Sequence, residues 1–111
     1  MLMTMEVDTS SDQRPVIQAS EILAKIERGE DVEYDGVIVE GELELSVISS
    51  QIIITNSKIR GNVKFSNAHL NKAISFKGSE ICGYADFRNA KFGKYAGFEG
   101  TKWLFAIPCW Y

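Results

Sequence analysis

An eleven-residue period through residues 38–103 constrains the fold of this chain more than any other feature. In blocks of eleven the segment reads IVEGELELSVI, SSQIIITNSKI, RGNVKFSNAHL, NKAISFKGSEI, CGYADFRNAKF and GKYAGFEGTKW. The sixth position is always large and apolar: Leu43, Ile54, Phe65, Phe76, Phe87 and Phe98. So is the eleventh: Ile48, Ile59, Leu70, Ile81, Phe92 and Trp103. Two residues before each eleventh stands a small one: Ser46, Ser57, Ala68, Ser79, Ala90 and Thr101. Two before each sixth stand Gly41, Ile52, Val63, Ile74, Ala85 and Ala96. Repeats of this size are structural units that bury an apolar face only by stacking on their neighbours.

Helix and strand make different demands on such a period. On a helix, positions 4, 6, 9 and 11 point to about 0°, 200°, 140° and 340°, so they cannot form the single seam of a right-handed coiled coil. On short strands, positions 4 and 6 share a face, and so do 9 and 11. The abundance of Phe, Ile and Tyr, with Gly and Asn between them, also favours strands joined by turns.

The turn positions set the length of one coil. Position 8 runs Asn56, Asn67, Gly78, Asn89, Gly100, so Asn67 matches Asn89 and Gly78 matches Gly100. Gly61 matches Gly83, whereas Lys72 and Lys94 stand in the units between. Directly stacked residues share a backbone conformation, and Gly or Asn supplies positive φ at a corner. The expectation is an all-β, right-handed β-solenoid of about 22 residues per coil, with four short faces and three coils. Its core columns would be Leu43–Phe65–Phe87, Ile48–Leu70–Phe92, Ile54–Phe76–Phe98 and Ile59–Ile81–Trp103.

The flanks read differently. Residues 1–14 are polar and acidic, and are expected to be frayed or disordered. Residues 15–37 hold a short helix and a lead-in strand. Ser20 is placed to cap the helix, Ile22, Leu23 and Ile26 share one face, and Gly29 ends it. That apolar face is the natural cover for the first rung of a solenoid spanning 38–103. Residues 104–111 form an apolar tail in which Pro108 should prevent a further regular coil. The tail is expected to fold across the open end or to join two open ends in a homodimer, the dimer being favoured.

The units A-D-F-R-N (85–89), A-K-F-G-K (90–94) and A-G-F-E-G (96–100) resemble the pentapeptide repeat. The resemblance spans residues 20–103 and implies a right-handed quadrilateral β-helix whose small residue and central Leu or Phe point inward. It departs from the strict pattern by one extra residue per two pentapeptides, and by the aliphatic Ile52, Val63 and Ile74. It implies a non-enzymatic scaffold for an unknown protein partner, with no catalytic residue, cofactor, metal or small-molecule substrate.

Composition limits the alternatives. Residues 1–37 hold nine acids and three bases, and the remainder holds six acids and nine bases, so the net charge of -3 divides into -6 and +3. Some members of the family mimic DNA to inhibit topoisomerases. That role needs a long acidic rod, and three coils give only about 14 Å at about 4.8 Å per strand. DNA mimicry is therefore the weaker reading, and no nucleic-acid partner is expected. Two cysteines, Cys82 and Cys109, are too few for a disulfide framework, and Cys82 reads as a small turn residue. With neither a secretory leader nor an apolar span, a reduced, cytoplasmic protein is expected. A membrane segment enters only if the chain is a truncated part of a larger repeat protein.

Three features are candidate sites. The serines at 46, 57 and 79 read as inward small residues and His69 as an exposed one. Tyr84 and Tyr95, at outward positions near Arg88 and Lys94, are the candidate partner contacts.

Overall fold

The computed structural model describes residues 12–104. Strand β1 (Val16–Gln18) leads into helix α1 (Ala19–Glu27), and a β-solenoid follows. Its first turn is made of β2 (Val32–Asp35), β3 (Ile38–Glu40), β4 (Leu43–Glu44) and β5 (Val47–Ile48). The second comprises β6 (Ile52–Thr55), β7 (Lys58–Ile59), β8 (Val63–Lys64) and β9 (His69–Leu70). The third comprises β10 (Ile74–Ser75), β11 (Glu80–Ile81), β12 (Ala85–Asp86) and β13 (Lys91–Phe92), and β14 (Ala96–Gly97) and β15 (Lys102–Trp103) begin a fourth. The solenoid thus starts at Val32, within the segment read as its lead-in.

Four parallel sheets form the faces. The first runs β2-β6-β10-β14, the second β1-β3-β7-β11-β15, the third β4-β8-β12 and the fourth β5-β9-β13. In the second turn the inward residues Ile52, Ile59, Val63, Leu70 and Ile74 lie seven, four, seven and four apart. That alternation produces the 22-residue coil. The longer steps contain the corners where Asn56, Asn67, Gly78, Asn89 and Gly100 take positive φ.

The first turn is two residues shorter. Val32 pairs with Ile52, Ile38 with Lys58 and Leu43 with Val63, twenty positions on, and the step of 22 begins only at Val47 with His69. This corrects one column. Leu43 stands against Val63 and Ala85, not Phe65 and Phe87. Leu45 takes the place below Phe65: its amide donates to the Lys64 carbonyl and its side chain packs on the core. The two residues are missing from the third corner, so counting back at a constant period shifts every earlier residue by two. Ser46 keeps the 22-residue register, its carbonyl accepting the His69 amide, yet it is exposed, while Ser57 and Ser79 are buried.

The other columns form. Ile48, Leu70 and Phe92 align on the fourth face, and Ile59, Ile81 and Trp103 align on the second. Phe76 and Phe98 lie 6.1 Å apart between ring centroids. Side chains are close-packed in the middle of the stack, where Ile54, Phe65, Phe76 and Ile81 are fully buried.

The amino-terminal end is closed. Helix α1 lays Ile22, fully buried, with Leu23 and Ile26 half-buried, against the first rung. Strand β1 pairs with β3 up to Gln18, so the chain turns directly from strand into helix. Gln18 is the N-cap residue and Ser20 lies inside the helix, which corrects the capping role given to Ser20. At the other end Gly29 has φ +75°, its amide reaches the Ile26 carbonyl, and the Glu30 amide reaches that of Lys25. This is a Schellman motif with glycine at C′. Residues 12–14 are not frayed: Asp12 binds Arg14 and Lys58, and Arg14 donates to the Asn56 carbonyl. The remainder of the segment read as frayed, residues 1–11, lies outside the described residues, as do residues 105–111 of the apolar tail.

Candidate interaction surface

The two ends of the solenoid are finished differently. At the far end β12, β13, β14 and β15 are the last strands of their sheets, each paired on one side only among the described residues. The core columns emerge there. Phe87 and Phe98 are half-buried, while Phe92 and Trp103 are 38% and 43% exposed. These four rings form one cluster. Phe87 lies 5.5 Å from Phe98 and 6.3 Å from Trp103, and Phe92 lies 6.1 Å from Phe87 and 6.4 Å from Phe98. Centroid spacings of this kind are those of edge-to-face and tilted aromatic pairs. The cluster grows from Phe65, 5.3 Å below Phe87, so among the described residues its base is buried and its outer rim is exposed.

Tyr84 stands beside this rim and is 69% exposed. Its amide is fixed by the Asn62 side chain at 2.8 Å. A shallow cleft of about 390 Å³ is lined by Gly83, Tyr84, Ala85 and Trp103, and a second of about 360 Å³ runs from Tyr84 to Phe87 and Arg88. Tyr84 thus joins the aromatic end to the third face. Tyr95 is elsewhere. It stands before β14 with its ring folded over Gly97, and its hydroxyl donates to Glu99 at 3.3 Å. The neighbouring Glu99 charge raises the Tyr95 pKa, with desolvation and that hydrogen bond adding to the effect. The two tyrosines occupy different faces and form no joint site.

Charge is largely consumed in fastening coils together. Asp31 accepts the Gln51 amide, Asp35 accepts from Thr55 and Asn56, Glu40 pairs with Arg60, and Glu42 binds Asn62 and Lys64. Each acid belongs to the first turn and each partner to the second. Hydrogen bonds from Thr55, then Asn56, hold the Asp35 carboxyl below its ordinary range. Those from Asn62, then Lys64, do the same for Glu42. Asp31, Asp35, Glu40 and Glu42 thus act as inter-coil fasteners.

The serines and the histidine do not converge. Ser57 and Ser79 are buried and bonded to backbone, Ser46 is exposed, and His69 is exposed on the fourth face. Among the described residues no group of three His, Cys, Asp or Glu is placed to hold a metal ion. Cys82 follows β11 at a corner, and it is disulfide-bonded rather than reduced. The other cysteine, Cys109, lies outside the described residues.

Sequence reasoning overlooked the fourth face, where His69, Lys72, Lys91 and Lys94 are all exposed. The signal was available: residues 45–52, 65–74 and 87–96 contain no acid.

A family model described as pentapeptide repeats, in nine copies, matches residues 54–102. No curated protein and no solved structure matches the chain.

Proposed function

From the premise that this is a pentapeptide-repeat protein, a β-solenoid with repeats across residues 54–102, we propose that it is a non-enzymatic interaction module whose partner is a second copy of itself, joined through the open end. The supporting observation is the half-exposed rung of Phe92 and Trp103 on strands that are paired on one side only. Apolar side chains next to free strand edges favour association, and identical chains meet most simply about a two-fold axis. Burying such a rung twice gains more than burying it once, and the edges gain hydrogen-bond partners as well. Tyr84, at the rim, is the candidate contact for a further protein partner. Tyr95, held over Gly97 on another face, is the weaker candidate.

Nothing on the surface favours DNA mimicry. Asp31, Asp35, Glu40 and Glu42 are bonded to the second turn, and the fourth face is cationic. A cytoplasmic location goes with this reading as an expectation. Among the described residues no helix is long and apolar enough to cross a membrane.

The test is the mass in solution by light scattering, measured for the full chain and for Trp103→Glu. The full chain should have the mass of two chains, and Trp103→Glu the mass of one, with an unchanged far-ultraviolet spectrum. A monomeric full chain would end the dimer reading, and so would a variant that remains dimeric.

A further inference from the structure

The four faces use their charges differently. On the first face and its corners, Asp31 and Asp35 are bonded to the next coil. Toward the second face lie the pairs Asp12 with Lys58 and Glu40 with Arg60, and on the third Glu42 with Lys64 and Asp86 with Arg88. The fourth face breaks this pattern. Its outward column is Val47, His69, Lys91, and the corner that follows carries Lys72 and Lys94. Lys72, Lys91 and Lys94 are exposed and make no ion pair among the described residues. Arg88, at the preceding corner, adds a cationic side chain that is 81% exposed and paired with Asp86.

We propose that the fourth face docks the protein on an anionic phospholipid surface. An uncompensated cluster of one sign selects a partner of the other sign, and the shape of the face narrows the choice. Three parallel strands make a platform about 10 Å across, and none of the clefts described above is lined by its lysines. The free edges of this sheet, at β5 and β13, would take a peptide strand in the plane of the sheet, whereas the lysines project from its outer face. The lysines are unheld by protein partners, so they attract charge without reading a sequence. Val47 stands in the same column at 69% exposure, and Phe92 lies at the rim. Basic side chains interleaved with exposed apolar ones suit a headgroup layer with hydrocarbon beneath it. A phosphodiester backbone offers nothing for Val47 to contact. Docking of this kind does not depend on the dimer.

The experiment is co-sedimentation of the full chain with vesicles of phosphatidylcholine alone and of phosphatidylcholine mixed with phosphatidylserine. Binding is expected only to the mixed vesicles, and should weaken as salt is raised. Each lysine removed should lower partitioning about five-fold, the factor equivalent to about 1 kcal/mol per basic residue near an acidic surface. Lys91→Ala with Lys94→Ala should therefore lower it roughly 25-fold. Lys77→Ala, an exposed lysine away from this face, should leave it unchanged, and all variants should keep the thermal midpoint of the parent. The proposal is overturned by equal binding to both vesicle types, by no binding, or by binding that survives the double substitution. It is overturned equally if duplex DNA or polyglutamate at the same salt displaces the protein from the vesicles.

Discussion

Ser57 donates its backbone N–H to the hydroxyl oxygen of Ser79, one coil further on, at 3.1 Å. The Ser79 hydroxyl in turn donates to the Ile54 carbonyl at 2.9 Å, and the Ser57 hydroxyl accepts the Val37 amide at 3.0 Å. Both serines are fully buried, so these bonds replace ladder contacts that a corner leaves unmade. Ser79→Ala should lower stability by about 1–3 kcal/mol, because the Ser57 amide loses its acceptor out of reach of water. A urea titration should show a lower midpoint at constant slope, whereas Ser46→Ala, at an exposed position, should change neither. Equal behaviour of the two variants would show that the relay does not stabilise the stack.

The aromatic columns predict a gradient. Phe65 is fully buried, Phe87 half-buried and Trp103 43% exposed. Phe65→Ala should cost about 3–5 kcal/mol, and Phe87→Ala distinctly less. Chemical denaturation of the two variants gives the order directly, and the reverse order would mean that the open end is covered.

Gly61 is required by a close approach rather than by an unusual φ. A Cβ there would sit inside the van der Waals radius of the Gly41 carbonyl oxygen, and one on Gly83 would lie 2.7 Å from the Gly61 carbonyl carbon. Three glycines therefore stack at one corner and let the coils meet. Gly61→Ala should destabilise by about 3 kcal/mol or more, since the obstacle is backbone and cannot rotate away. A variant that melts with the parent would show the corner to be loose.

Acid should loosen the first turn from the second. The carboxyls of Asp35 and Glu42 titrate below their ordinary values because they accept hydrogen bonds in the fold, and Asp12 does so chiefly through Arg14. A lowered folded-state pKa means that the stabilisation is complete above the unfolded range, about 3.9 for Asp and 4.3 for Glu, and is lost as pH falls from there through the lower folded values. The thermal midpoint should be level down to about pH 5 and decline below about pH 4. Asp35→Asn should flatten that decline. A midpoint that rises on acidification would contradict the sign.

Cys82 gives a direct reading of redox state. Native protein should take up no alkylating label at Cys82 until a reductant is added, then react. Mass spectrometry of labelled peptides measures this. Prompt labelling of untreated protein would restore the reduced, cytoplasmic reading.

The repeat made the fold legible because inward positions tolerate few residue types, so columns such as Ile48–Leu70–Phe92 are written in the sequence. What escaped was local. In LELSVI the residues Leu43 and Leu45 are interchangeable by type, and only the pairing of Leu43 with Val63 shows which is which. Ser20 looked like a cap because the reading assumed a loop before the helix, where β1 runs directly into it. Gly61 and Gly83 were correctly matched one coil apart for the wrong cause, since contact and φ leave the same residue in the sequence. The fourth face leaves no recurring residue to mark it, and its character lies in the carboxylates that never occur there.

The helix-covered rung is also the part of the solenoid that leaves the ribosome first. Helix α1 and the first turn, through Ile48, can dock before the later turns exist, since every pairing reaches back only 20 or 22 positions. Each later turn then meets a completed edge and is templated by it, so growth runs in the direction of synthesis, each strand pairing with one 20 or 22 residues back. The aromatic rung is the growing tip of that process. Its exposure is the ordinary condition of every earlier rung, retained at the last one described.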